Sequence, residues 1–358
     1  MPRKQTQKWL KYICAALLLV PVLAPCSVAQ QQAQSNSEQL CANTNDPQTG
    51  SLFTANIASA DGLIATDSGR PTVAIAFGGG GAKAAANIGV LKVLKQEGIP
   101  IDFVAGTSIG STVGGLYCTG MSIEEIEDAM VSGKLQRAIL PSMPTILCIQ
   151  VAHHLEFWRH SYGGLLSQRR FKKRICKYCG TDRQFKDLKT PFTAVAVNLM
   201  DGKECDITSG DLCQGMAASC ALSPLYKPVP IGDKLLVDGG IVANLPIRAA
   251  RNMGADIVIG VCVDTTLHPI EAEKMRSLRH LTGRVTDIFM WSKDEISAAE
   301  ANLTIYPNVD DVKVIERHSK NVRYAIEQGE IAARKALPYI KEMMKTVPHN
   351  QQRTAAAL

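Results

Sequence analysis

The sequence lacks the signatures of several large protein classes. Its apolar N-terminal segment, Ile13 to Ala24, is shorter than the ~20 residues a transmembrane helix needs, and no stop-transfer flank follows it. There is one Cys-x-x-Cys, at Cys176-Lys177-Tyr178-Cys179, with no second such pair and no His-x-x-x-His. A zinc centre is therefore not expected. In the glycine-rich stretch Lys83 is followed by Ala84, which removes the Ser or Thr that a P-loop uses for magnesium. No internal repeat is present, which excludes solenoid architectures.

Surplus charge is scarce once its location is considered. The formal charge is +6, and Arg3, Lys4, Lys8 and Lys11 all precede the apolar segment. Ser27-Val28-Ala29 then offers small residues where a signal peptidase requires them, before Gln30. Residues 1–29 read as an export signal, and their removal takes the charge to +2, which implies no nucleic-acid partner. The pattern gives less support to a retained anchor. It also gives less to a lipoprotein acylated at Cys26, because Pro25 stands where a small residue is expected. The product would be periplasmic or secreted, with membrane association open. Nine of the eleven cysteines survive cleavage; an odd number leaves at least one free or intermolecular. Cys205 and Cys213 flank a turn around Thr208-Ser209-Gly210 and could close a short disulfide loop.

Residues 30–70 are polar and aperiodic, and read as a flexible leader. The ordered domain is expected over residues 71–345, as a core of 71–265 and a C-terminal helical part of 266–345, with a disordered tail at 346–358. Buried-type strands are predicted at 72–77, 101–105, 192–197, 234–237 and 257–263, alternating with helix-like stretches that include 82–97, 276–297 and 318–345. Such alternation argues for an α/β domain with a mainly parallel sheet.

The strand Ile101 to Ala105 ends in Gly106-Thr107-Ser108-Ile109-Gly110, followed by a small-residue helix. Strand, Gly-x-Ser-x-Gly and helix together describe a nucleophile elbow, with the serine exposed above a helix N-terminus. Gly78 to Gly81 also join a strand to a helix. Their backbone N–H groups, those of Gly79 and Gly80 first, could serve as an oxyanion hole. A dinucleotide reading competes, since Gly79-Gly80-Gly81-Ala82-Lys83-Ala84 fits Gly-x-Gly-x-x-Ala, with Asp102 near the expected offset for the ribose. Asp102, however, begins its strand rather than ending it.

The serine needs a base. His268, with Asp238 as its acid, would suit a histidine-dependent α/β-hydrolase, but His268 sits in a polar, loop-like stretch before Pro269. Asp238 has the better context, ending the strand Leu235-Leu236-Val237 before Gly239 and Gly240. A partly desolvated aspartate there could act as the base directly.

Three motifs in order, Gly79-Gly80-Gly81-Ala82-Lys83-Ala84, Gly106-Thr107-Ser108-Ile109-Gly110 and Asp238-Gly239-Gly240, resemble those of the patatin-like phospholipase family. So do Asn87 to Leu94, Ala218 to Pro224, Asn244-Leu245-Pro246, Met253 to Asp256 and Glu327 to Ala333. The likeness is to an exported bacterial member. It implies a three-layer α/β/α fold with a Ser-Asp dyad at the C-terminal edge of the strands. It also implies a lipid acyl hydrolase of the phospholipase A or lysophospholipase type, needing no cofactor or metal. Ser108 would be the nucleophile, Asp238 the base and Gly79, Gly80 and Gly81 the oxyanion hole, with Lys83, Gly106, Gly110, Gly239 and Gly240 supporting. Ala84 departs from the family's usual glycine and raises a non-catalytic binding role as the alternative. The basic run Arg169, Arg170, Lys172, Lys173 and Arg174, with Phe171 and Ile175 four apart, suggests an amphipathic helix on anionic head groups. Glu156-Phe157-Trp158 suggests a lid or rim.

Overall fold

The computed structural model describes residues 69–135 and 163–349, apart from 165, 224, 265 and 317 and the side chain of Arg279. The export segment, nearly all of the leader, Glu156-Phe157-Trp158 and the tail from residue 350 lie outside the described residues.

The apolar runs become strands because both of their faces are covered. Strand β1 (Val73–Phe77) is buried at every position and lies parallel between β2 (Phe103–Thr107) and β7 (Ile257–Val261). Strand β3 (Phe192–Asn198) is parallel to β2, and β8 (Leu303–Ile305) is parallel to β7. Three pairings are antiparallel: β4 (Glu204–Ile207) on β3, β6 (Lys234–Asp238) on β3, and β5 (Val229–Ile231) on β6. The order along the sheet is β5-β6-β3-β2-β1-β7-β8, with β4 paired to β3. Short β4, β5 and β8 escaped prediction; three or four residues carry no readable periodicity.

Strand β2 begins two residues later than its apolar run suggests, because Asp102 is taken up elsewhere. Its carboxylate accepts two 2.8 Å hydrogen bonds from the Arg70 guanidinium and one of 2.7 Å from the Val73 N–H. Asp102 therefore fastens the start of β1 and stands at the sheet edge opposite the glycine loop. The dinucleotide reading is corrected on this ground.

Alternation along the strands sends side chains into two cores. Val73, Ile75, Phe77 and Val104 pack on one face, beneath α1 (Ala86–Gln96), α2 (Ile109–Cys118) and α8 (Ser319–Thr346). Ala74, Ala76, Phe103, Ala105 and Val195 pack on the other against α6 (Ile247–Asn252), with Ala298 from the end of α7 (Leu278–Ala299). Helix, sheet and helix make the expected three layers. Helices α3 (Ile123–Val131), α4 (Arg169–Cys179) and α5 (Leu212–Ser219) complete the first of these cores. Helix α8 continues through Thr346, and His349 beyond it places Nδ1 3.0 Å from the Asp256 carboxylate. The packed chain thus extends past the expected boundary at 345.

Helix α4 divides its residues differently from the expected membrane-contact helix. Phe171, Ile175 and Cys179 point into the core, and Lys172 pairs with Asp211 at 2.7 Å. Arg169, Arg170, Lys173 and Arg174 are exposed, so the apolar pair is unavailable to lipid and the outer face is purely cationic. Among the described residues, no helix is long and apolar enough to cross a membrane.

Candidate active site

The site is assembled along one edge of β3. Strand β2 runs up that edge until Thr107 stands opposite Val195, and the chain then turns away into α2. Strand β6 descends the same edge in the opposite direction until Asp238 stands opposite Ala196. The two strands meet end to end over successive residues of β3. Ser108 and Asp238 are thereby brought together from 130 residues apart.

Ser108 occupies φ 53° and ψ −125°, a conformation that costs a non-glycine residue about 1–3 kcal/mol and persists only when its surroundings enforce it. Two glycines let those surroundings close in. A Cβ on Gly106 would stand 2.6 Å from the Ser111 Cα, and one on Gly110 would run into the Phe77 carbonyl oxygen. The Ser108 N–H donates to Ser219 Oγ at 3.0 Å, and Ser219 Oγ donates to the Val195 carbonyl at 2.6 Å. Ser219, from the end of α5, thus braces the elbow against β3.

Ser108 Oγ donates to Asp238 Oδ2 at 2.8 Å, and Gly240 N–H donates to Asp238 Oδ1 at 2.9 Å. Asp238 is only 4% exposed. Burial raises its pKa to about 6; the bonds from Gly240 and Ser108 favour the carboxylate and oppose that rise without cancelling it. The carboxylate is still the major form at neutral pH, and it is more basic than an ordinary aspartate. Gly239 and Gly240 form a 3-10 turn with Ile241 directly after it.

No imidazole intervenes between Ser108 and Asp238. His268 is largely exposed, with Nε2 3.4 Å from Asp310. The histidine-dependent alternative is corrected accordingly.

The glycine loop meets the elbow from β1. Gly78 N–H donates to the Val261 carbonyl at 3.0 Å and Gly79 N–H to the Asn244 carbonyl at 3.2 Å. Gly79 therefore holds the loop in place rather than offering a donor. Gly80 and Gly81 are half-buried, and among the described residues no acceptor is assigned to their N–H groups. Ile109, the first residue of α2, adds an N–H with no intrahelical partner. Ala84 lies buried in the 3-10 turn Gly81–Ala85, and it is not among the residues with positive φ. An alanine fits there without strain, so the departure from glycine gives no reason to read the site as inactive.

Behind the loop is a network that motif reading missed. The Asn244 side-chain amide donates to Asp294 at 2.9 Å and to Asp264 at 3.3 Å, and Leu245 N–H donates to Asp294 at 3.1 Å. Burial, then the neighbouring Asp294 charge, pushes Asp264 up to about 8; the charge of buried Lys83 counters part of this. Burial raises Asp294 also. Ser219 and Asn244 lie in two of the stretches that resemble the family, but nothing in those stretches shows whom they touch. Among the described residues, no group of three or more His, Cys, Asp or Glu is arranged to hold a metal ion.

A family model described as patatin-like phospholipase matches residues 75–251, a span that contains the glycine loop, the elbow and Asp238. Residues 75–251 are a patatin-like phospholipase domain. Patatin-like phospholipase domain-containing protein 7 of Rattus norvegicus is 34% identical over 194 residues, which are 53% of this chain and 13% of that protein. A lysophospholipase of Yarrowia lipolytica is 32% identical over 198 residues, 54% of this chain and 13% of that one. An uncharacterized NTE family protein of Mycobacterium bovis is 32% identical over 198 residues, 55% of this chain and 50% of its own. The matched stretch thus spans half or less of these relatives. Among solved structures, human GIVD cytosolic phospholipase A2 aligns with 78% of this chain and 63% of that one, at 10% identity and a TM-score of 0.42.

Proposed function

We propose that this chain is a lipid acyl hydrolase that cleaves carboxylic esters through an acyl-enzyme on Ser108. The observation that carries the reading is the 2.8 Å hydrogen bond from Ser108 Oγ to a buried Asp238 whose pKa lies near 6. Asp238 accepts the Ser108 proton as Oγ attacks the ester carbonyl. The oxyanion of the tetrahedral intermediate is met by the N–H groups of Gly80, Gly81 and Ile109, at the positive end of α2. Collapse expels the alcohol, which takes the proton from Asp238. Asp238 then deprotonates a water that attacks the acyl-enzyme, and Ser108 is released with its proton restored.

A lipid substrate is supported by the family, by the lysophospholipase among the relatives, and by the surface beside the dyad. Helix α7 reaches the turn after Asp238 through Lys293, whose ammonium donates to the Ile241 carbonyl. It exposes Leu281, Val285, Ile288 and Phe289, an apolar flank suited to an acyl chain.

The test is covalent labelling with an alkyl fluorophosphonate, alongside turnover of a lysophospholipid. Ser108→Ala is expected to abolish labelling, Asp238→Asn to slow turnover about 10²–10⁴-fold, and His268→Ala to leave both unchanged. Absence of labelling in a folded wild-type protein would refute the reading.

A further inference from the structure

Away from the dyad, three cysteines converge where α4 meets α5. Cys176 and Cys179 lie one turn apart on α4, and Cys213 is the second residue of α5. The Cys179 and Cys213 sulfurs are 3.0 Å apart, about 1 Å beyond a covalent S–S bond of about 2.05 Å. Cys176, one turn before Cys179, lies near enough to Cys213 for their thiols to influence one another. Exposure differs among the three: Cys179 and Cys213 are 4% and 1% exposed, whereas Cys176 is partly open to solvent. The sequence reading set Cys213 against Cys205. Instead Cys205 has the Lys234 ammonium 3.6 Å from its sulfur.

We propose that Cys179 and Cys213 are a disulfide pair stapling α4 to α5, with Cys176 as the exchange thiol through which the bond is made. The oxidant is a low-molecular-weight disulfide. The Cys176 thiolate attacks one of its sulfurs, forms a mixed disulfide and expels one small thiolate. Cys213 attacks the Cys176 sulfur and expels the second small thiolate from it. Cys179 then attacks Cys213 and returns Cys176 as a thiolate. Two protein thiols are oxidised, one small disulfide is reduced to two thiols, and the protons pass to water. The last step has its two sulfurs in place, because Cys179 and Cys213 already stand 3.0 Å apart. The bond would close a loop between positions 34 apart at the base of the helix that ends in Ser219. It would persist in an oxidising compartment, the destination expected from residues 1–29.

The test uses the full chain treated with oxidised glutathione, alkylated and digested with trypsin. Cleavage at Arg174 and Lys177 separates Cys176 from Cys179. The expected product links the Tyr178–Arg183 peptide to Cys213, with Cys176 alkylated. Cys176→Ser should slow formation at least tenfold and give the same product. Reduction of the wild type should lower Tm by about 5–10 °C, with no such fall in Cys179→Ser. Alkylation of both Cys179 and Cys213 in the oxidised wild type would overturn the pairing, as would a Cys205–Cys213 link. An unchanged rate in Cys176→Ser would overturn the exchange role.

Discussion

Asp238 divides its two oxygens between tasks, one held by the Gly240 N–H and the other turned to Ser108. Because the first bond does not depend on substrate, the carboxylate is aimed before the ester arrives. Its raised pKa sets a pH dependence. The base is the ionised form, so protonation below about 6 removes it. In the free enzyme kcat/KM should fall about tenfold per pH unit below that value and level off above it. A pH–rate profile on a soluble short-chain ester checks this; a flat profile from pH 5 to 8 would mean that another group takes the proton. Ser219 acts at the same scale through backbone, since it receives the N–H of the nucleophile itself.

Among the elements, the crossing of α1 and α8 has the least room. A Cβ on Gly89 would fall onto the Ile326 carbonyl oxygen, and one on Gly329 onto the Ala86 carbonyl oxygen. Both obstacles are helix backbone, which cannot rotate aside as a side chain does. Gly89→Ala raises intrinsic helix propensity by about 1 kcal/mol, yet the overlap forces the helices apart. Overpacking of this kind costs about 1–3 kcal/mol or more, so the net expected effect is destabilisation. Urea unfolding should show a lower midpoint at unchanged slope; a midpoint equal to or above wild type would contradict the packing. The glycine loop follows immediately before α1, so this crossing also sets where Gly80 and Gly81 stand.

For the whole molecule, the buried pair Asp264 and Asp294 makes stability depend on pH. Asp264 has an ordinary value of 3.8 and is raised to about 8 in the fold. The folded protein therefore keeps a proton that the unfolded chain loses from about pH 4 upward. The stabilisation associated with that proton is complete below the unfolded value and is lost as pH rises to about 8. The expected outcome is a Tm contribution that declines from about pH 4 to 8 and is flat above, superimposed on the protein's other titrations. Asp264→Asn should remove that decline in scanning calorimetry. A slope identical to wild type would show that Asp264 does not carry the retained proton.

What the sequence determined by itself is local. The runs 72–77, 192–197 and 257–263 read as buried strands because they are short, largely apolar and rich in β-branched residues, and β1, β3 and β7 fall within or against them. The elbow was legible because Gly-x-Ser-x-Gly between a strand and a helix is a conformational statement about neighbouring residues. Asp238 was legible as the end of a strand. The tertiary structure decided what lies across the sheet. That β6 runs antiparallel and meets β2 head-on depends on its pairing with β3, and pairing is a long-range choice that no local pattern encodes. The commitment of Gly79 to Asn244, the diversion of Asp102 to Arg70 and the meeting of Cys179 with Cys213 have the same origin. Each is a contact between residues remote in the chain, selected by the packing of whole elements rather than by the propensity of any one.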